Sequence, residues 1–315
     1  YYPPRKTPKE CYEQIIADLT DAEQYAPDND NSDRTKMTKT VAQAMLAKVY
    51  AEKEVQDYDK VIAYADKVMN TTGVELEDSY ETLWGYDETA KDCMKRNTKE
   101  GILEVHWTTG SGNWETWMYG RQLDNWDYSF TWAKWITPSR DIINDFDKEG
   151  DEVRKNQAIV YYACTWSNYY PASNYPFMYK LRSSYNNIYW VRLADIILMK
   201  AEAEAYKGNL AESAKLVNQI RKRAKLKELT SDKTGSKESM IEAVLHERRL
   251  ELAFEGERWF DLCRNNKVEQ YLNGIDNRDS GRIRQVRQFD GNSYLLPIPQ
   301  TALDQNTNLE QNPGY

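Results

Sequence analysis

The stretch LADIILMKAEAEAYKGNLAESAKLVNQI, residues 193–220, decides the fold class of this chain. Its apolar and small residues recur at helical spacing on both sides of a break at Gly208 and Asn209, which predicts two helices joined by a short turn. Because small residues stand where the two helices meet, their backbones can approach closely. A helical pair of this kind cannot bury its apolar stripe alone, so it has to stack on neighbouring helices.

A second copy of this pattern lies 152 residues earlier in the chain. The first helices of the two copies align Ala42 with Ala194 and Leu46 with Leu198, and a short linker carrying Asp57 takes the place of the glycine break. The segments concerned are about 38–54 and 58–70. We therefore predict a tetratricopeptide-type helix–turn–helix unit that occurs twice. Two unrelated amphipathic hairpins are the alternative.

Start signals and apolar periodicity predict further helices around these two hairpins. Thr7 can form a capping box with Glu10 at the start of a first helix. A short helix is expected over 139–146, and one long helix over Ser236–Cys263, bent near Gly256. The fold class that follows is mainly α.

Residues 80–189 differ from the helical parts, since they are rich in Trp, Tyr, Asn, Ser and Gly and only weakly periodic. Alternation over Gly101–Trp107 predicts a strand, and the glycines of 108–120 predict a loop. Long irregular inserts in a helical scaffold are usually functional. Beyond residue 266 we expect a hairpin that turns at 290–292 and an extended tail limited by prolines.

These segments make up one predicted domain over residues 1–315. Its helical scaffold comprises residues 1–79 and 190–265. The irregular ligand-binding insert occupies residues 80–189, and the hairpin and extended tail occupy residues 266–315.

Composition excludes several classes of protein. The formal net charge is -8 at pH 7, which disfavours a phosphate-binding groove for nucleic acid. No run approaches the length of a membrane-spanning helix. The 4 Cys form no CxxC pair and the chain has only 2 His, which leaves little material for a zinc site or a His-based triad. Cys11 and Cys263 fall in helical patterns and are expected to be small, buried or half-buried hydrophobic residues.

Aromatic usage indicates a flat, wet binding surface. The chain has 10 Trp and 23 Tyr against 6 Phe, so rings with a polar edge dominate. Sugar rings present flat C–H faces to such rings, while neighbouring amides bind their hydroxyl groups. The alternative is that about half of the Trp residues form core. Trp84, Trp190 and Trp259 are expected to be structural. The candidate ligand-binding residues are Asn113, Trp114, Trp117, Trp166, Asn168, Tyr169 and Tyr170.

Carboxylates in the last third invite a catalytic interpretation. Glu247, Glu251 and Glu255 follow each other at helical spacing and could supply a glycosidase acid–base pair. Ion pairing within the helix, for example between Arg248 and Glu251, is the stronger interpretation. We expect buried ion pairs that hold helices to the C-terminal tail, and no catalytic residue.

Two further charged patterns have weaker implications. Residues 145–150, DFDKEG, imitate the start of a calcium loop, but Asn156 stands where a bidentate Glu is needed. A solvated turn is therefore favoured, calcium is a weak alternative, and no other cofactor or metal is expected. The arginines at 278, 282, 284 and 287 are expected to pair with local carboxylates rather than with nucleic acid.

Three segments resemble motifs of the SusD/RagB family. Residues 190–203, WVRLADIILMKAEA, are similar to its R-x-A-D-hydrophobic-AEA helix. Residues 247–262, ERRLELAFEGERWFDL, are similar to its ERR-x-E-L/F-A-F-E-G-x-R-W/F-x-D-L segment. LLPIPQ at 295–300 and NLEQNPGY at 308–315 are similar to its C-terminal ending. The resemblance extends from about residue 10 to the end of the chain.

This resemblance implies a nutrient-binding, surface-exposed lipoprotein of the outer membrane in Bacteroidetes-type bacteria. Members bind mostly oligosaccharides and cover a SusC-like TonB-dependent transporter, without catalysis; their tetratricopeptide-type units pack against an irregular ligand-binding region. The family's N-terminal segment, with its lipidated cysteine, is expected to lie outside this sequence, since the chain begins Tyr-Tyr-Pro-Pro without a leader. Peptide binding, or a scaffold that binds only proteins, are the alternatives. The density of Trp favours sugar.

Overall fold

The architecture follows from the helical hairpins, which stack to form the main core. The computed structural model describes residues 2–107, 114–119, 136–164, 169–183, 185–281 and 287–315, without the side chains of Trp114, Trp117 and Met118. In the first part of the described chain the elements are α1 (Pro8–Tyr25), α2 (Lys39–Ala51), α3 (Tyr58–Met69), α4 (Tyr80–Trp84), β1 (Tyr86–Asp87), β2 (Asp92–Cys93) and β3 (Gly101–His106).

The insert continues with α5 (Trp114–Tyr119), α6 (Arg140–Glu149), α7 (Glu152–Ala158), β4 (Ile159–Tyr162), β5 (Tyr175–Met178) and β6 (Asn187–Arg192). The remaining helices are α8 (Leu193–Lys207), α9 (Leu210–Arg223), α10 (Ser231–Thr234), α11 (Lys237–Glu251), α12 (Arg258–Arg264), α13 (Val268–Leu272), α14 (Ile275–Arg278) and α15 (Gln300–Gln305).

The predicted repeat is present as two stacked hairpins, α2–α3 and α8–α9. Helix α3 packs on α8, and α11 packs on the other side of α8. The first hairpin turns through Asp57, whose carboxylate caps α3, and the second turns through Gly208 at φ +85°, a left-handed conformation that suits glycine. Their buried side chains form one core, which includes Val41, Ala44, Ala65, Val68, Ile196, Leu198, Val217, Ile220 and Val244.

Helix α1 begins with the predicted capping box. The Thr7 side chain accepts from the backbone N–H of Glu10, and the Glu10 carboxylate accepts from the N–H of Thr7. No residue of α1 is buried, and Ile15 is exposed. Cys11 is exposed as well, contrary to the expectation of a buried position, whereas Cys263 is half-buried as expected. Helix α1 therefore lies on the outside of the described fold, against α2.

Short antiparallel ribbons connect the insert to the helical scaffold. The predicted strand β3 pairs with β6, which runs directly into α8. Strand β4 pairs with β5 in the register Ile159 to Met178 and Tyr162 to Tyr175. A third ribbon joins β1 to β2. Because β6 continues as the central helix, the insert is anchored to the most buried part of the scaffold.

The expected long helix over 236–263 is two helices. Helix α11 ends at Glu251 and α12 begins at Arg258. Between them Phe254 has φ +66° and Gly256 has φ +89°, so the chain makes a left-handed turn that no α-helix accommodates. The prediction was wrong because it treated the break near Gly256 as a bend rather than as an interruption of the hydrogen-bonded turns.

Three loop predictions also need correction. Residues 114–119 within the expected loop form α5, and the expected extended tail contains α15. Asp290 and Ser293 form the predicted turn, but residues 287–296 carry no strand, so no hairpin surrounds it. The tail is nevertheless held down, since Asn308 donates to the carbonyl of Tyr2 and the guanidinium of Arg5 donates to Asn312. Among the described residues, no helix has the length and apolarity needed to cross a bilayer.

Candidate ligand-binding site

The structure describes only part of the predicted ligand-binding set. Asn113, Trp166 and Asn168 lie outside the described residues. Trp114 and Trp117 belong to α5, but their side chains are also outside the described part. Tyr169 and Tyr170 are described, next to the β4–β5 ribbon. The remaining predictions for these residues therefore stay predictions.

Tyr169 and Tyr170 begin a line of aromatic contacts. Their ring centroids are 4.9 Å apart with nearly perpendicular planes. The Tyr170 ring lies 5.8 Å from that of Tyr175, which lies 5.1 Å from that of Phe177. Tyr175 and Phe177 are buried on β5, whereas Tyr169 and Tyr170 are half-buried. The line thus leads from the interior of the insert to its surface, and the two outer rings are less exposed than expected.

Arg140 organises the outer two rings. Its guanidinium carbon lies 4.6 Å from the Tyr169 centroid and 4.2 Å from the Tyr170 centroid, within the range of cation–π attraction. It also pairs with Asp279, and the Tyr169 hydroxyl donates to the same carboxylate at 2.5 Å. The Tyr170 hydroxyl donates to the carbonyl of Pro138 at 2.7 Å. We call Arg140, Tyr169, Tyr170 and Asp279 the Arg140 cluster.

This arrangement follows from local sequence. Ser139 caps α6 by accepting from the N–H of Ile142, which places Arg140 in the first turn. Ile142 and Phe146 are buried on the inner face of the same helix, so Arg140 lies outside that face. Both half-buried rings are held in fixed orientations by these contacts. Such rings can contact the flat face of a sugar with little loss of side-chain entropy.

Sequence reasoning missed two tyrosines of β4. Tyr161 and Tyr162 have exposed fractions of 37% and 39%, and they lie opposite Pro176 and Tyr175 on β5. The run IVYY, rich in β-branched and aromatic residues, was a strand signal that could have identified them. They extend the aromatic surface of the insert beyond the Arg140 cluster.

The other three tryptophans that were expected to be structural differ in burial. Trp84 is buried at the edge of the Tyr189 ring, as expected, and Trp259 is half-buried against Phe289 and Tyr294. Trp190 is 61% exposed, so its expected structural role in the core was wrong. The reason is the strand period: on β6 the side chains of Tyr189 and Val191 are buried, and Trp190 between them faces outward.

The carboxylates that invited a catalytic interpretation are buried and neutralised. Glu251 is 1% exposed and accepts from Arg192 at 2.7 Å, Arg223 at 2.6 Å and Arg154 at 3.2 Å. The Tyr80 hydroxyl donates to it at 2.5 Å. Three guanidinium groups around one carboxylate leave it no room for a substrate. Buried ion pairs, the general expectation for this helix, are therefore present.

The same network extends on both sides of Glu251. Glu247 pairs with Arg154 and Arg221, Glu255 pairs with Arg192 and Lys180, and Glu100 on the far side pairs with Arg192 and Arg223. We call this group the ion-pair core; its members are Glu100, Arg154, Lys180, Arg192, Arg221, Arg223, Glu247, Glu251 and Glu255.

Electrostatics keep Glu251 and Glu255 ionised. Burial alone raises the pKa of Glu251, but the guanidinium groups of Arg223, Arg192 and Arg154 outweigh it and hold that pKa well below its ordinary value. Burial also raises the pKa of Glu255, but the charges of Arg192 and Lys180 outweigh burial and lower that pKa. A carboxyl group in this state cannot donate a proton to a glycosidic oxygen near neutral pH.

Two details of the expected ion pairing were wrong. Arg248 does not pair with Glu251 but with Asp195 at 2.7 Å and Asp261 at 2.8 Å. The charges of α11 also bind helices and strands of the body, not the C-terminal tail. The physical reason is that α11 is buried on several sides, so its charged side chains contact neighbouring elements rather than each other.

The calcium-like segment 145–150 is occupied by ion pairs. Asp145 pairs with Arg249, Asp147 with Lys155, and Glu149 with Arg221 and His246. The hydrogen bond from His246, against the cost of burial, lowers the pKa of Glu149 to about 2. Gly150 ends α6 in a left-handed conformation. Within the described residues, no group of three or more His, Cys, Asp or Glu side chains is placed to hold a metal ion.

The C-terminal arginines are only partly described. Arg278 pairs with Asp141, and Arg287 lies 3.6 Å from Asp290. Arg282 and Arg284 lie outside the described residues. Arg287 therefore pairs with a local carboxylate as predicted, whereas Arg278 pairs with a distant helix and the prediction was wrong for it.

Comparison with known proteins relates this chain to SusD. A profile of the SusD family matches residues 25–315. SusD-like protein P2 of Formosa agariphila is 28% identical over 354 aligned residues, which cover 98% of this chain and 66% of that protein. SusD-like protein P38 of the same organism is 36% identical over 135 residues, covering 41% of this chain and 25% of that protein. The chain thus spans less than two thirds of the length of either relative.

Solved structures agree in fold. A SusD superfamily protein from Bacteroides vulgatus ATCC 8482 matches 100% of this chain and 70% of its own with a TM-score of 0.75 at 22% identity. A laminarin-binding SusD-like protein matches 98% of this chain and 70% of its own, with a TM-score of 0.71 at 24% identity. The mainly helical fold, with its stacked hairpins, is that of these proteins, and the chain belongs to the SusD family.

Proposed function

We propose that this chain binds oligosaccharides at the outer cell surface and captures them for import by a SusC-like TonB-dependent transporter. The observation that carries the proposal is the match to the SusD family over residues 25–315. A structural neighbour that binds laminarin, a glucan, supports sugar rather than peptide as the ligand class.

The aromatic insert is the proposed contact surface. Tyr169 and Tyr170 are half-buried rings fixed by Arg140, and Tyr161 and Tyr162 are exposed beside them. These rings offer faces to the C–H side of a sugar and hydroxyls to its edge. The other proposed contacts in this surface are Asn113, Trp114, Trp117, Trp166 and Asn168.

Binding without cleavage is part of the proposal. An acid–base pair needs one carboxyl group that holds its proton near neutral pH and a second that reaches the substrate. Glu251 is buried and ionised, and Glu247 and Glu255 are tied to arginine or lysine. These residues support the structure and leave the sugar intact.

The scaffold hairpins would serve the partner rather than the ligand. The α2–α3 and α8–α9 units form a rigid stack through a shared apolar core. A rigid stack can hold the insert over the mouth of a transporter while a lipid anchor keeps the protein at the membrane. The family relationship supports both the transporter and the anchor.

The proposal is tested by affinity gel electrophoresis with laminarin, followed by a glycan array. We expect laminarin to retard the wild-type chain in the gel. Trp114→Ala or Trp117→Ala should each weaken the affinity about tenfold, since stacking of a nucleobase, a flat ring of similar size, on an aromatic side chain contributes roughly 1–3 kcal/mol. Trp190→Ala is the matched control, because it removes an exposed indole outside the insert.

Three outcomes would argue against the proposal. Equal retention of both insert variants and of wild type would remove those two rings from the site. A chain that ignores every glycan on the array but binds a peptide library would support the peptide alternative. Uniform protection of the insert indoles from acrylamide quenching, measured beside the exposed Trp190, would favour a scaffold that binds only proteins.

A further inference from the structure

A cleft of about 330 Å³ lies beside the break between α11 and α12. Its walls include Ser139 and Ile142 from the start of α6, Leu252 and Phe254 from the break, and Trp259 from α12. The volume is at the lower end of the range of about 300–1,000 Å³ that small-molecule sites occupy. It limits an occupant to one or two sugar rings.

The charges lining this cleft are unbalanced. Three arginines, Arg248, Arg249 and Arg258, face one acidic residue, Asp261. Two of the arginines are matched, since Arg248 pairs with Asp195 and Asp261, and Arg249 pairs with two aspartates of α6. The third is not matched in this way.

Arg258 forms no ion pair with any carboxylate of the described residues. Its guanidinium donates to the carbonyl of Leu245 at 3.0 Å and lies 4.7 Å from the Tyr271 ring centroid. The neighbouring Asp261 already accepts from Arg248 and Arg264. Burial, and after it the positive charge of Arg249, lower the pKa of Arg258, and the opposing effects of Asp261 and Tyr271 do not reverse this shift. A largely desolvated guanidinium of this kind favours an anionic group beside it.

The rest of the wall suits a sugar ring rather than a bare anion. Ile142, Leu252, Phe254 and Trp259 contribute apolar and aromatic surface. The Ser139 hydroxyl oxygen accepts from the N–H of Ile142, while its hydrogen has no acceptor within the described part of the chain. The wall therefore combines an apolar side, a hydroxyl donor and a cation.

We propose that this cleft is a second binding site, which takes an anionic sugar residue with its carboxylate or sulfate against Arg258 and its apolar face against Phe254 and Trp259. The inference goes beyond general glycan capture, because it names the charge of a sugar that the chain accepts. It does not require the aromatic insert to be the main binding surface. The left-handed turn at Phe254, a conformation that costs a bulky residue about 1–3 kcal/mol, forms part of the wall.

The test compares a uronate with its uncharged ester, and with a sulfated oligosaccharide as a second anionic probe. Calorimetric titration at low ionic strength uses tetragalacturonate, its fully methyl-esterified form, and a sulfated galactan tetrasaccharide. We expect tetragalacturonate to bind at least tenfold more tightly than the ester, since a hydrogen bond to a charged partner contributes about 1.5–3 kcal/mol. Binding of the sulfated probe as well assigns the site to anionic sugars in general, and its absence narrows the site to uronates. Equal affinity for tetragalacturonate and its ester would overturn the proposal.

Variants locate the effect at Arg258. Arg258→Gln should lose the preference for the charged probe, and Arg258→Lys should retain part of it. Arg287→Gln is the matched control, because it removes the same charge from an exposed position outside the cleft. A preference unchanged in Arg258→Gln would contradict the assignment. If that variant does not fold, the melting temperature of the wild type decides: tetragalacturonate should raise it and the ester should not.

Failure of this site and failure of the proposed function are distinguishable. Laminarin carries no charge, so Arg258→Gln should bind it as the wild type does. A chain that binds laminarin but does not discriminate between the charged and esterified probes lacks the second site only.

Discussion

Arginine has opposite environments in the ion-pair core and in the Arg140 cluster. In the core Arg192 is 1% exposed and donates to three glutamates, so its charge is fully matched inside the protein. In the cluster the Arg140 side chain is 27% exposed, pairs with one aspartate, and its guanidinium lies over two tyrosine rings. The ion-pair core holds the scaffold together in its interior, whereas the Arg140 cluster forms a half-buried polar and aromatic surface.

This contrast separates charges that stabilise the fold from charges that lie at the surface of the molecule. Charges whose partners are all internal contribute to folding, because breaking one partnership strands the rest in a low-dielectric interior. Charges that stack on half-buried rings fix the orientation of those rings at the surface of the molecule. The residues with catalytic spacing belong to the first kind, and the residues suited to recognition belong to the second.

The largest effect is expected from Glu251→Gln. The amide would leave the buried guanidinium groups of Arg154, Arg192 and Arg223 without the charge that holds them. We expect the free energy of unfolding to fall by about 3–5 kcal/mol, the usual cost of breaking a buried ion pair. Urea unfolding measures it. A loss below 1 kcal/mol would mean that the core does not depend on this charge.

Acid should weaken the ion-pair core next. The pKa values of Glu251 and Glu255 are lowered in the folded protein, so their contribution to stability is complete above the ordinary glutamate pKa of about 4.3 and is lost as the pH falls through that value towards the folded pKa. We expect the melting temperature to decline below about pH 4.3. Glu251→Gln should show a shallower decline, and equal slopes in the two proteins would contradict this account.

A smaller effect is expected in the Arg140 cluster. Tyr169→Phe removes the hydroxyl that donates to the buried carboxylate of Asp279, while Arg140 still pairs with it. We expect a loss of about 1–2 kcal/mol in unfolding free energy. Calorimetric titration with laminarin should show weaker binding because the ring is less firmly oriented. If stability falls and binding stays the same, Tyr169 is structural only.

The smallest effect sets the baseline for the other three. Glu212 and Lys215 form an ion pair on α9 at 3.1 Å, with the lysine side chain 75% exposed. Glu212→Gln should change the unfolding free energy by less than about 0.5 kcal/mol, since surface pairs are screened by solvent. A cost close to that of Glu251→Gln would erase the distinction between buried and exposed charges.

Local sequence signals predicted much of the scaffold. The capping box at Thr7 and the apolar period of α2, α3, α8 and α9 both depend on residues within a few positions of each other. The structure confirms the corresponding helices. For the candidate site, the ligand-binding role of Tyr169 and Tyr170 stays a prediction, and the sequence analysis did not single out the exposed Tyr161 and Tyr162.

Most of the scaffold helices, their pairing into two hairpins and the family relationship could therefore be predicted from local sequence patterns. Which charges pair with each other depends on how distant segments pack. Glu251 binds Arg192, 59 residues away, and Glu100 binds Arg223, 123 residues away, instead of helical neighbours. The same holds for the exposure of Trp190 and the break after Glu251. Helical period and capping act over one turn, whereas partner choice and burial depend on segments that become neighbours only when the chain packs.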